Sequence, residues 1–316
     1  MKDHNRKIAL VLSGGGAKGA FQAGALDVFY AQGYEFDLLS GVSVGALNGA
    51  MIATRQFEEL QQLWKTIRKN DILRSRSLGE VIREFILYKI GIADPPRGLH
   101  NLTPLKRLLS NHLFGKKIRI PFHFGFVTLE SGNYVKATIR SNGHRIDEDD
   151  ILRILASSAI PIQFDPVNFY NQTLVDGGIR HISPIAEILP YHPDEVIIIP
   201  TEPLDGDREE AVVEDILQIG RRAIEVMLDE IFIEDIKRFI QINRLVGQAS
   251  QQGVTLKKPD RSPYKFINAR IVAPKQMLGD SLDFGEDILQ QRYEKGQRRA
   301  REVLTATSDE KRITFD

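Results

Sequence analysis

The chain has 316 residues, is 42% hydrophobic and balances 42 basic against 42 acidic side chains, which excludes a disordered chain and any net field that would gather nucleic acid. The absence of cysteine excludes a disulfide framework, thiolate zinc sites and a cysteine nucleophile together, and fits a reducing cytoplasm. The charged opening MKDHNRK lacks the apolar core of a signal peptide, and no run approaches the roughly 20 apolar residues of a membrane span, so a soluble cytoplasmic protein is expected, peripheral at most to the inner membrane surface.

Residues 7–13, KIALVLS, have the length and branched composition of a buried strand, which the following glycines end. Residues 20–33, AFQAGALDVFYAQG, read as a helix with Gly33 as its C-cap. FDLLSGVS, 36–43, reads as a second strand, and VGALNGAMIATRQF, 44–57, as a helix whose Ala46, Gly49, Ala50 and Ala53 permit close packing. Two successive strand-glycine-helix units imply an α/β fold with a mainly parallel central sheet covered by helices. Residues 65–119 then carry thirteen Lys or Arg against Asp71, Glu80, Glu84 and Asp94, an excess of nine. This region includes the amphipathic EVIREFILYKIG and has no acid from Arg97 to Arg119. It is either a set of solvated helix faces or a lid-like region drawn to anionic lipid headgroups, at about 1 kcal/mol per charge.

PFHFGFVTLESGNYVKAT, 121–138, reads as a hairpin turning at Ser131, Gly132 and Asn133. DDILRILASSAIP, 149–161, reads as a helix started by Asp149 or Asp150 and barred from continuing by Pro161. EVIIIP, 195–200, and KFINARIVAP, 265–274, are further buried-strand candidates. From Ala211 to Val246 apolar residues recur at steps of three and four, among them Val212, Ile216, Ile219, Ala223, Met227, Ile231 and Phe239, as in one long helix or two packed on the core or a partner. Between Asp205 and Val246 eleven acids face six bases, a stretch that an anionic bilayer would repel.

The glycine cluster GGGAKG at 14–19 follows a strand and precedes a helix, so its amides are placed to approach an anion. A Walker loop would need Ser or Thr after its lysine, and here Lys18 is followed by Gly19, Ala20 and Phe21. Gly14, Gly16 and Gly19 do match the dinucleotide fingerprint, but the acid expected on the ribose belongs at the carboxyl end of the second strand, and Asp37 opens that strand instead. What stands at the carboxyl end is GVSVG, 41–45, a G-x-S-x-G elbow that would lift Ser43 to the amino end of a helix. Ligands gather at the carboxyl ends of parallel strands, so amides of Gly15 and Gly16 could face the oxygen of a carbonyl attacked by Ser43. Of His4, His100, His112, His123, His144, His181 and His192, His181 is the best placed to act as base, five residues after Asp176 in LVDGGIRHISP. Asp176 itself ends an apolar run, and Gly177 and Gly178 let the chain turn and aim its carboxylate into a cleft.

These three pieces in this order resemble the patatin-like phospholipase family, in the bacterial form that is similar to the catalytic domain of neuropathy target esterase. Supporting features are Asn48, VTLESG at 127–132, ASSAIP at 156–161 and SLDFGEDILQQRYEKGQRRARE near the end. The resemblance implies one hydrolase domain over 1–316 with a three-layer α/β/α core at about 6–200 and 262–305 and a helical addition at 205–260. It implies a dyad without histidine, in which Ser43 is the nucleophile and Asp176 takes its proton directly. Gly14, Gly15, Gly16, Ala17, Lys18 and Gly19 would form the oxyanion loop, and Gly41 and Gly45 the elbow. The expected substrate is a phospholipid or lysophospholipid, with no metal or other cofactor and no nucleic acid as partner. An acyl-thioesterase or transacylase with the same dyad, an ordinary hydrolase using His181, and a nucleotide-binding module remain as alternatives. Many relatives have an asparagine before the proline that follows the Asp-Gly-Gly motif, where this chain has Ser183.

Overall fold

A computed structural model describes residues 6–180, 184–205 and 216–306. The chain begins β1 (Ile8–Leu12), α1 (Gly19–Ala31), β2 (Leu38–Gly41), α2 (Val44–Ala53), α3 (Phe57–Thr66) and α4 (Lys69–Ile72). There follow β3 (Arg74–Ser75), α5 (Leu78–Lys89), β4 (Gly98–Asn101), α6 (Thr103–Leu113), β5 (Phe122–Thr128), β6 (Asn133–Ile139) and α7 (Glu148–Ala156). The remainder is β7 (Ile162–Phe164), β8 (Val167–Phe169), β9 (Gln172–Asp176), α8 (Ile185–Ile188), β10 (Glu195–Ile199), α9 (Ile216–Gln251), β11 (Asn268–Ile271) and α10 (Glu286–Thr305).

β11, β10, β1, β2 and β5 lie side by side and parallel, with antiparallel β6 on the outer edge of β5. β5 outruns β2: Gly41 stands opposite Phe124, and beyond it the antiparallel β9 takes over the same edge, with Asp176 opposite Phe126. The sheet therefore brings the end of β2 and the end of β9 to one point.

Alternation along the buried strands divides the core into two layers. Leu10, Leu12, Leu39, Ile197 and Ile199 face the layer of α1, α2 and α10, whereas Ala9, Val11, Leu38, Val196 and Ile198 face that of α8 and α9. The result is the α/β/α arrangement expected from the sequence. α1 and α10 cross at two glycines: a Cβ on Gly24 would lie 1.9 Å from the Tyr293 carbonyl oxygen, and one on Gly296 2.0 Å from that of Phe21.

Two details differ from expectation. α7 is capped by Asp147 rather than by Asp149 or Asp150, because the Asp147 side chain accepts from the Asp150 amide while Asp150 accepts from that of Asp147, a reciprocal box. The long amphipathic stretch is one helix, but Ile219, Ala223 and Met227 are exposed, and close packing is found at Ile236 and Phe239. The helix has 36 residues and is about 54 Å long, with Ile219 and Met227 exposed toward its start and Ile236 and Phe239 buried further along. Val212 lies outside the described residues, as do ten of the positions in the acid-rich stretch, 206–215.

Candidate active site

Ser43 occupies the turn between β2 and α2 with φ 55° and ψ −128°, a strained conformation for a residue with a side chain. Its neighbours have no room for anything but hydrogen: a Cβ on Gly41 would lie 2.3 Å from the Gly45 carbonyl oxygen, and one on Gly45 2.3 Å from that of Leu12. The turn is braced from below. The Ser43 amide donates to Ser157 Oγ at 3.1 Å, and that hydroxyl donates to the Gly125 carbonyl at 2.7 Å. Ser43 ends up 6% exposed, at the amino end of α2, where the helix dipole favours developing negative charge.

Asp176 arrives from the other direction. The Asp176 amide donates to the Ala159 carbonyl at 2.9 Å, its Oδ1 accepts from the Gly178 amide at 2.7 Å, and the residue is 1% exposed. Gly177 passes so close to β5 that a Cβ would lie 2.4 Å from the Gly125 carbonyl oxygen. Gly125 thus anchors both halves of the site, Ser43 through Ser157 and Asp176 through Gly177. Burial pushes the Asp176 carboxyl up to about 7, while the Gly178 amide and the Ser43 hydroxyl favour its charged form. Oδ2 accepts no well-aligned hydrogen bond among the described residues.

The glycine loop lies over the serine. A Cβ on Gly14 would come 3.2 Å from the Ser43 Cβ. The Gly14 carbonyl accepts from Thr201 Oγ1 at 2.6 Å and from Ser13 Oγ at 2.9 Å, so across the planar trans peptide the Gly15 amide points away from Thr201. Gly15 and Gly16 have φ of 134° and 55°, values suited to glycine. The amides of Ala17 and Lys18 already donate to the carbonyls of Ser281 and Gly15, at 2.7 and 3.1 Å. Among the described residues nothing accepts from the amides of Gly14, Gly15 and Gly16. These three remain available to an oxyanion, a narrower set than the six residues of the expected loop.

Lys18 is neither solvated nor turned toward a phosphate, because its ammonium is buried against the Glu202 carboxylate. Gly19 contributes space, since a Cβ there would strike Val44 and Trp64. Behind the loop Gln22 Nε2 donates to the carbonyls of Ser13 and Ile199, Asn48 Nδ2 to Gln22 Oε1, and Trp64 Nε1 to Asn48 Oδ1 at 2.9 Å. Asp37 is far from any ligand at the loop: its carboxylate accepts from the Ile8 amide at the opposite end of β1.

Ser43 opens onto an apolar cavity. Met51, Trp64, Leu105, Leu109, Phe164 and Phe284 form much of its wall. The basic region thus supplies lining: α6 turns leucines inward while its Lys106 pairs with Glu148 outside. Asn48, His112, Ser158 and Ser281 are the polar side chains that interrupt the wall besides Ser43, and Ser158 Oγ is buried without a partner among the described residues.

Among the described residues no histidine acts on the Asp176 carboxylate. His123 is buried in β5 with Nδ1 2.8 Å from Thr138 Oγ1, and burial lowers its pKa to about 4. His4, His181 and Ser183 lie outside the described residues. Among the described residues one cluster has metal-type donors, His144, Asp147 and Asp150, but Asp150 is engaged by the His144 ring and the Arg153 guanidinium, both at 2.5 Å, and the cluster forms the cap of α7. The roles of Ser157, Ser158, Thr201 and Glu202 were not legible in the sequence. The two serines sit in the quoted ASSAIP, whereas Thr201 and Glu202 follow an ordinary buried strand.

A family model described as patatin-like phospholipase matches residues 10–189. YqhO of Bacillus subtilis is 23% identical over 241 residues, 69% of this chain and 79% of that protein. Lysophospholipase nte1 of Aspergillus terreus is 44% identical over 48 residues, 15% of this chain and 3% of that one. Among solved structures VipD of Legionella pneumophila is similar with a TM-score of 0.45 at 12% identity, covering 95% of this chain and 66% of that chain. The chain therefore spans less than two thirds of the length of the last two.

Proposed function

Because the chain belongs to the patatin-like phospholipase family, we propose that it is a serine lipid acyl hydrolase with Ser43 as nucleophile and Asp176 as its direct base. The observation that carries this reading is a strained serine beside a buried carboxyl whose pKa is raised to about 7. Ser43 Oγ attacks the ester carbonyl carbon as its proton passes to Asp176 Oδ2. The oxyanion accepts hydrogen bonds from the glycine amides left open in the loop, a type of donor that typically contributes about 3 kcal/mol each. As the tetrahedral species collapses, Asp176 returns the proton to the leaving alcohol, and the acyl group stays on Ser43. Water then attacks the acyl-serine, its proton going to Asp176, and fatty acid leaves as Ser43 recovers its hydrogen. The apolar cavity takes the acyl chain, which supports a phospholipid or lysophospholipid as substrate, met at a membrane that the basic residues of 65–119 help to hold.

The same dyad would cleave a thioester or pass the acyl group to another acceptor, and a panel of defined lipids and acyl thioesters with products read by mass separates these cases. A nucleotide site is disfavoured, since Lys18 is paired with Glu202 and Asp37 lies at the wrong end of the sheet. A fluorophosphonate is expected to label the wild type and not Ser43→Ala, and both Ser43→Ala and Asp176→Asn should lose lipid hydrolysis. Retained hydrolysis in both variants would sink the reading.

A further inference from the structure

Between β3 and β4 the chain leaves the domain surface to form α5 and the turn after it. Ile82, Phe85 and Ile86 share one face of α5 at helical spacing, and Tyr88, Ile90 and Ile92 continue the apolar surface, all between 42% and 71% exposed. Six large apolar side chains so close together on a surface mark an interaction site. The helix does not need a covering partner to start, because Ser77 and Glu80 form a reciprocal cap, with hydrogen bonds of 3.2 and 2.8 Å.

The charges around this face select the partner. Glu80 is paired with Arg74 at 3.2 Å, and Glu84 lies 3.3 Å from Arg76, whose guanidinium is shared with Asp165 at 2.8 Å. Lys89 extends over the rings of Phe85 and Tyr88, 5.3 and 5.9 Å from their centroids, and Arg83 and Arg97 are exposed. An apolar face with cations at its rim suits a bilayer interface, where rings and alkyl groups sink below the headgroups and Lys or Arg stay among the phosphates. A second copy suits it less well, since a two-fold contact would bring the Arg83, Lys89 and Arg97 side chains of both copies together.

The position is suited to delivery of substrate. β4, which receives the chain from this excursion, pairs with β7 through His100 and Phe164. Phe164, Ile72 and Leu102, around the base of the excursion, line the cavity of Ser43. We propose that the face formed by Ile82, Phe85, Ile86, Ile90 and Ile92 inserts into the surface of an anionic phospholipid bilayer and docks the wall of the acyl cavity against it. The proposal rests on the reading of the substrate as a membrane lipid and names the element that reaches it.

The test is flotation with vesicles of phosphatidylcholine containing about 30% phosphatidylglycerol, for the wild type, the double variant Ile86→Glu/Ile90→Glu and the single variant Ile92→Glu. Binding is expected to fall about tenfold or more in the double variant and less in the single one, with thermal melting and hydrolysis of a short water-soluble ester unchanged. In Phe85→Trp, added vesicles should shift emission to the blue relative to the wild type, whose one tryptophan, Trp64, is buried. Undiminished vesicle binding in both glutamate variants overturns the proposal. So does unshifted Phe85→Trp emission on vesicles that retain the protein, or a wild-type dimer that the glutamates split into monomers. Vesicle binding through this face without hydrolysis of any lipid would sink the proposed activity and leave the docking surface standing.

Discussion

Asp176 is held where a carboxylate is costly, and that cost is what suits it to the role of base in the proposed reaction. A carboxyl with a pKa of about 7 keeps a hydroxyl proton far better than one at the usual value of about 3.9. Hydrolysis should therefore rise with pH through about 7 and level off above it. Stability runs the other way, because between about 4 and 7 the folded chain keeps a proton that the unfolded chain has released, so this contribution is lost as pH rises through that window. Asp176→Asn removes the buried charge. It is expected to lower kcat about 10³-fold and, above pH 7, to melt higher than the wild type. Rate profiles and melts at pH 5 to 9 check both, and an Asp176→Asn protein that keeps the rise through pH 7 would show that another group is the base. At this scale the sequence was informative where chemistry demands a residue type in a tight pattern, as at Gly41, Ser43 and Gly45. It was uninformative for Lys18, because a lysine in a glycine loop reads equally as solvent-facing or ligand-facing until Glu202 is seen beside it.

Elements were legible wherever local pattern sufficed. β1, β2, β10 and β11 are short apolar runs bounded by turn residues, and α1 and α2 begin at the glycines between them. What local pattern misses is contact between helices, and the crossing of α1 and α10 shows this. Gly24 and Gly296 are 272 positions apart and meet backbone to backbone. Gly296→Val should cost roughly 3 kcal/mol or more by overpacking, read as a melting temperature lower by several degrees or as loss of soluble protein. Gly220, in α9, has open space around its Cβ position, and Gly220→Ala should stabilise by up to about 1 kcal/mol through helix propensity. Equal melting of the two variants would remove the close-packing argument. The helix α9 also shows the limit of periodicity, which identifies a stripe and leaves open how much of it is covered.

Across the whole molecule the charges cancel, yet the region 65–119 holds an excess of nine. Such a local field is screened beyond about 10 Å at 0.1 M salt. Hydrolysis of lipid in anionic vesicles should therefore fall as salt rises from 0.05 to 0.5 M, while that of a short soluble ester stays level, and parallel salt curves would dissociate the basic region from membrane contact. No helix among the described residues is long and apolar enough to cross a membrane. By itself the sequence determined the α/β layering and the three motifs, because alternation, glycine spacing and strand ends are properties of short windows. Tertiary structure alone decided that Asp176 meets Ser43, since β2 and β9 must share one edge of β5 in a fixed register. It also decided that leucines from a basic segment wall the cavity, because a leucine at helical spacing reads the same whether it faces the core or a ligand, and what it faces depends on distant chain.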